Sequence, residues 1–225
     1  MRGRKRRDKK RPKKIRPLGD EITDLPNLIT LARIATLPVV LVLIDNESRV
    51  LSFASAATFV LGSLSDIIDG YLARRRKQES VLGAFLDPLA DKLFVLGTLV
   101  FLVARGRVPE WLVVVLMSRE LAITVLRSLA VTYGLVIAAG KTGKAKTALQ
   151  SVGIIFLLLH FQYLIAPVKL DINCHRVGTV LLYLSLVLSV WSAGEYMRFF
   201  VRAVEEKTRR IKAREAARAA EQAPQ

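Results

Sequence analysis

Cysteine is nearly absent. Cys174 stands alone among 225 residues, which excludes an internal disulfide and any cysteine-based metal cluster. Histidine is scarce too: His160 falls in an apolar run, where a packing or hydrogen-bonded role suits it, and His175 follows Cys174 directly. Two ligands at adjacent positions make a poor zinc site, so that pair reads as ordinary loop. Acidic residues number 19 against 35 Lys and Arg, a net charge of +16. An excess of that size points to an anionic partner. The most basic stretch, "MRGRKRRDKKRPKKIR", contains no aromatic residue on which a base could stack. A membrane surface therefore fits better than RNA, and no specific nucleic-acid partner is expected.

About half of the chain (52%) is hydrophobic, which a strongly charged soluble domain seldom combines. Here the two characters are segregated. Residues 1–20 form a basic arm with no apolar pattern that could fold, read as disordered and cytoplasmic. Residues 204–225 are rich in Ala and charge and read as a tail that prolongs the last helix and then frays. Between them, 21–203 carries six apolar stretches, at about 28–45, 50–73, 83–104, 109–134, 145–166 and 177–201. Each is near the roughly 20 residues that a helix needs to cross the hydrocarbon core. The first lacks a small-residue cleavage site and is followed by five more, so it is read as retained. The expected fold class is an all-α integral membrane protein with six transmembrane helices. With the N-terminus inside, the inner segments collect 26 of the 35 Lys and Arg and the outer loops five. Both termini are then cytoplasmic, in a multi-pass protein of the inner, cytoplasmic membrane.

Against that background "SDIIDGYLARRRKQESVLGAFLDPLADKLF" (65–94) is anomalous. It puts Asp66, Asp69, Asp87 and Asp91 in or beside membrane spans, where a charge at the bilayer centre costs at least about 2.5–3.5 kcal/mol. Asp66 and Asp69 are an i,i+3 pair and Asp87 and Asp91 an i,i+4 pair, so each pair shares a helix face. Asp69 lies five residues from Arg74 and Asp87 four from Gly83; Asp66 and Asp91 each lie eight from the same points, roughly 12 Å along a helix. Spans two and three, antiparallel across a short basic turn, bring the pairs into register in the cytoplasmic half. Some of these carboxyls could be protonated, or they could bind hard divalent cations through oxygen alone. Helix capping and a proton or cation pathway are the competing readings. No chain of carboxylates continues outward, which speaks against a transporter.

Neighbouring residues favour a ligand. Gly70 and Ala73 would let a bulky group approach one helix face, and Gly83 lies one turn before Asp87. Arg74 offers a planar fork of donors for phosphate oxygens, and Pro88 would bend span three. Together these suggest phosphoryl-type transfer on a nucleotide diphosphate.

The run Asp66-x₂-Asp69-Gly70-x₂-Ala73-Arg74-x₈-Gly83-x₃-Asp87-x₃-Asp91 resembles, without a departure, the signature of the CDP-alcohol phosphotransferases. That resemblance implies six transmembrane helices, a homodimer, and Mg²⁺ or Mn²⁺, two ions, between spans two and three. It implies Asp66, Asp69, Asp87 and Asp91 as metal ligands, with Asp91 also the general base. Asp66, Gly70, Ala73, Arg74 and Gly83 would contact the CDP donor. "PNLITLARI", "GAFLDPLADK", "SRELAITVLR" and "GKTGKAKTALQ" further resemble the phosphatidylglycerophosphate synthases within that family. The implied substrates are CDP-diacylglycerol and glycerol 3-phosphate. An independent feature agrees: Arg33, Arg119, Arg127, Lys141, Lys144 and Lys146 lie inside or at the inner rim of the spans, as an anionic acceptor phosphate would need. The expected active site faces the cytoplasm. Inositol phosphate, serine or phosphatidylglycerol as acceptor are the alternatives.

Overall fold

A computed structural model describes residues 23–44, 48–76, 81–135, 141–165 and 170–221; within its helices the side chains of 66–76 and of Lys141 and Lys144 are among those not described. Six helices run in chain order: α1 (Leu25–Ile44), α2 (Arg49–Arg76), α3 (Val81–Ala104), α4 (Glu110–Thr132), α5 (Lys141–Leu159) and α6 (Cys174–Glu221). The six expected spans each fall on one of them. The basic arm, 1–20, lies outside the described residues.

Local chemistry sets several boundaries. Asp24 precedes α1 and its carbonyl accepts the first helical bond from Leu28 N at 3.0 Å. Pro26 then sits in the first turn, where a missing N–H removes no helical bond. α4 ends at Gly134, whose φ of +63° only glycine adopts cheaply. There Gly134 N bonds Val131 O and Leu135 N bonds Ala130 O, both at 2.8 Å, the paired bonds that cap a helix C-terminus. α6 opens on Asn173, whose Oδ1 accepts Arg176 N at 3.0 Å, so Cys174 and His175 form its first turn and not a loop.

Two differences from the sequence expectation stand out. The fifth span was drawn to residue 166, but α5 stops at Leu159. His160 takes a left-handed φ of 57°, and the chain continues into a hairpin of β1 (Gln162–Ile165) and β2 (Leu170–Asn173), paired from Gln162↔Asn173 to Ile165↔Leu170. Apolar content alone cannot separate helix from strand in so short a run. Arg107 closes the helix end, donating to Leu157 O and Leu158 O at 3.3 and 3.2 Å, a cation on C-terminal carbonyls. The second difference is α6, which stays helical for 48 residues, to Glu221.

α1 packs on both α2 and α3, and α5 lies along α6. α5 and α6 meet backbone to backbone: a Cβ on Gly178 would sit 2.8 Å from Gly153 O, a contact that only small residues permit. α2 and α3 touch through Phe59 and Phe94, stacked at 5.0 Å, with Gly62 against the Phe94 ring. Val40, Ile44, Leu99, Leu102, Leu112, Leu116, Ile154, Leu157 and Leu182 complete the core. Outward faces remain apolar, with Val50, Leu61, Val187 and Trp191 all exposed. Asn27–Ile44 and Cys174–Ala216 are long and apolar enough to cross a membrane, and Arg49–Ser65 and Ala145–Leu159 are shorter apolar segments. Among the described residues, charges interrupt the apolar run of α3 at Asp87, Asp91 and Lys92 and of α4 at Arg119, Glu120 and Arg127.

Candidate active site

The N-terminal half of α1 carries a polar stripe. Asn27, Thr30 and Arg33 recur every three residues and all are buried, Arg33 to 2% exposure. Thr30 Oγ1 donates to Asp87 Oδ1 at 2.8 Å. Arg33 Nε donates to Ser65 Oγ at 3.2 Å, and Ser65 immediately precedes Asp66. A single helix therefore braces α3 at one aspartate and α2 beside another.

Asp87 and Asp91 share one face of α3 and both are exposed. The α2–α3 contact falls close by: Gly62 is four residues before Asp66, and Phe94 three after Asp91. Beyond this contact both aspartate pairs lie toward the turn that joins the helices. Asp66, Asp69, Gly70, Ala73 and Arg74 belong to α2, but their side chains lie outside those described. Gly83 is buried in the first turn of α3. Among the described residues no three His, Cys, Asp or Glu side chains converge; Asp87 and Asp91 supply two of the four carboxylates expected.

A cleft of about 60 Å³ opens beside Asp91, lined also by Lys92, Glu120, Lys146, Gln150 and Ser151. It joins α3, α4 and α5. Glu120 is its electrostatic centre: Oε2 receives Arg119 Nη1 at 3.1 Å and also the Lys146 ammonium. Lys146 is 6% exposed, and its carbonyl accepts Ser185 Oγ of α6 at 3.2 Å. Arg119 is committed elsewhere as well, donating from Nε to Ser189 O at 2.8 Å and from Nη2 to Ser192 Oγ. Lys92 Nζ donates to Thr124 Oγ1 at 2.6 Å, and that hydroxyl donates to Glu120 O at 2.8 Å.

The expected cations thus divide. Lys146 lines the cleft, and Arg119 joins it at Glu120 while fastening α4 to α6. Arg33 stands apart, at the α1–α2 junction beside Asp66. Arg127 is exposed on α4 two turns past Glu120. The side chains of Lys141 and Lys144 lie outside those described. Several residues in this region escaped the sequence reading: Thr30, Ser65, Lys92, Gln150 and Ser151 as contacts, and Glu120 as anything beyond an ion-pair partner. Thr30 had a legible signal, the i,i+3,i+6 polar stripe on an apolar span. Gln150 and Ser151 had none.

With this geometry in hand, comparison with known proteins is informative. Residues 23–191 match the CDP-alcohol phosphatidyltransferase family. A protein of Bacillus subtilis (strain 168) named CDP-diacylglycerol–glycerol-3-phosphate 3-phosphatidyltransferase is 41% identical over 149 residues, 61% of this chain and 77% of that protein. An Arabidopsis thaliana protein of the same name, numbered 2, is 33% identical over 208 residues, 84% and 85% of the two chains. A protein of Oryza sativa subsp. japonica named cardiolipin synthase (CMP-forming) is 30% identical over 196 residues, 81% of this chain and 59% of that one.

Proposed function

Because the chain belongs to the CDP-alcohol phosphatidyltransferase family, we propose that it transfers a phosphatidyl group from CDP-diacylglycerol to sn-glycerol 3-phosphate, releasing CMP. The observation that carries the choice of acceptor is the cleft in which Asp91 shares walls with Lys92, Glu120 and Lys146. Its volume corresponds to roughly four to six water positions, the scale of a small polar acceptor and not of an acyl chain. Two ammonium groups suit a phosphate, and choline or ethanolamine would find no advantage there.

The donor set fits hard divalent cations. It consists of carboxylates only, and the Thr30 hydroxyl bond to Asp87 is the kind of outer contact that orients a metal-ligating oxygen. Asp66, Asp69, Asp87 and Asp91 would hold two Mg²⁺ or Mn²⁺, which would stabilise negative charge developing on the diphosphate. Gly70, Ala73, Arg74 and Gly83 line the CDP side. Asp91 takes the proton of the acceptor's 1-hydroxyl. That oxygen bonds to the phosphorus carrying the lipid as the bond from this phosphorus to CMP breaks. Lys146 and Lys92 hold the acceptor phosphate, while Arg119 keeps α4 seated on α6.

The reaction requires a membrane, where the donor's acyl chains remain in lipid. Exposed apolar side chains on the outer faces support that location, and the Lys and Arg distribution supports cytoplasmic termini and a site open to the cytoplasm. A homodimer follows from the family resemblance. The experiment is CMP release by purified protein with Mg²⁺ and CDP-diacylglycerol, adding acceptors singly. Release with glycerol 3-phosphate alone is expected. Release only with phosphatidylglycerol, serine or inositol phosphate would reassign the acceptor, and ion flux in proteoliposomes without any CMP release would point to a transporter.

A further inference from the structure

A carboxylate at the heart of an anion-binding cleft is electrostatically out of place. Glu120 would repel an acceptor phosphate, yet it sits between Arg119 and Lys146 with its side chain 34% exposed. Its two oxygens are used unequally. Oε2 takes both cations, whereas Oε1 has no partner among the described residues, although Glu120 lines the cleft. The pairing keeps the carboxylate ionised and fixed, which makes a strong acceptor for a hydroxyl donor.

We propose that Glu120 reads the acceptor's non-reacting hydroxyl and so makes the enzyme specific for a vicinal-diol phosphate. This rests on the proposed transfer to glycerol 3-phosphate. Such an acceptor carries three polar groups in a row: the reacting 1-hydroxyl, the 2-hydroxyl and the phosphate. One cleft offers three matching groups: Asp91 for the first, Glu120 for the second, and Lys146 with Lys92 for the third. Glu120 and Lys146 are in direct contact, as the 2-hydroxyl and the phosphate-bearing carbon are adjacent in the acceptor. The repulsion between carboxylate and phosphate is offset by the two cations that Glu120 already holds. A charged hydrogen bond of this kind discriminates by roughly 10- to 100-fold against an acceptor that lacks the hydroxyl.

The test compares kcat/KM for glycerol 3-phosphate and for 3-hydroxypropyl phosphate, which lacks only the 2-hydroxyl. It uses full-length protein in detergent with CDP-diacylglycerol and Mg²⁺. Wild type should prefer glycerol 3-phosphate by that factor. In Glu120→Ala and in the closer-shaped Glu120→Gln, the preference should fall toward one for Ala and to an intermediate value for Gln, mainly by loss of rate on glycerol 3-phosphate. A purely structural role, holding Lys146 and Arg119, would depress both acceptors equally and leave the ratio unchanged; that result overturns the inference. Equal use of the two acceptors by wild type overturns it without any variant. Absence of CMP release from wild type with either acceptor would instead strike the proposed reaction itself.

Discussion

Removing one hydroxyl, in Thr30→Val, isolates the contribution of α1 to the carboxylate centre. Val has nearly the shape of Thr and leaves packing around the fully buried Thr30 intact. What disappears is the 2.8 Å bond to Asp87 Oδ1. Hydrogen bonds to charged groups contribute about 1.5–3 kcal/mol. Asp87 is itself exposed, so water replaces part of the loss and the lower end applies, about 1.5 kcal/mol. That corresponds to roughly tenfold, close to the 10- to 100-fold typical of outer contacts to metal ligands. The assay is CMP release against Mg²⁺ concentration. The half-saturating Mg²⁺ should rise about tenfold, with the KM for glycerol 3-phosphate changed far less, and Thr30→Ser should recover most of the loss. An unchanged Mg²⁺ dependence in Thr30→Val would refute the idea that α1 orients Asp87. A matched fall in thermal stability and in every kinetic constant would mean that the residue serves packing alone.

Three further outcomes follow from particular contacts. Asp91→Asn should abolish turnover while leaving CDP-diacylglycerol binding largely intact in a binding titration, and near-normal turnover would remove Asp91 as the base. Gly178→Val pushes side-chain atoms into Gly153 O and Leu157, which already lie within 2.8 Å of an added Cβ. Overpacking of this sort costs about 1–3 kcal/mol, so the melting temperature in detergent should fall by several degrees; no change would mean that α5 and α6 are less closely joined. Deleting residues 2–16 should leave turnover in detergent intact, because the arm's charges act on a membrane surface, and a loss measured there would give the arm a catalytic part.

Much of this protein is legible residue by residue. Apolar runs of helical length, ended by turn chemistry such as Gly134, mark six helices because hydrogen bonding within a helix is local. The i,i+3 and i,i+4 spacings put Asp66 with Asp69 and Asp87 with Asp91 for the same reason. The extent of α5 was less legible, since an apolar run ending in "FQYLI" serves a buried helix or a strand equally until His160 turns the chain. Arg33 shows the limit more sharply. Beside Arg119 and Lys146 in a list of intramembrane cations it reads as one of a set, but it is bonded to Ser65 on another helix pair.

The sequence by itself determined the helices, the paired spacing of the aspartates and the segregation of charge, all of which depend on neighbours within a turn or two. Only the tertiary structure decided how each helix is rotated about its axis, and hence which polar side chains meet. That rotation is set by contacts between residues far apart in the chain, Gly153 against Gly178 and Phe59 against Phe94. It turned Thr30 toward Asp87, separated Arg33 from Lys146, and put Glu120 at the centre of the acceptor cleft.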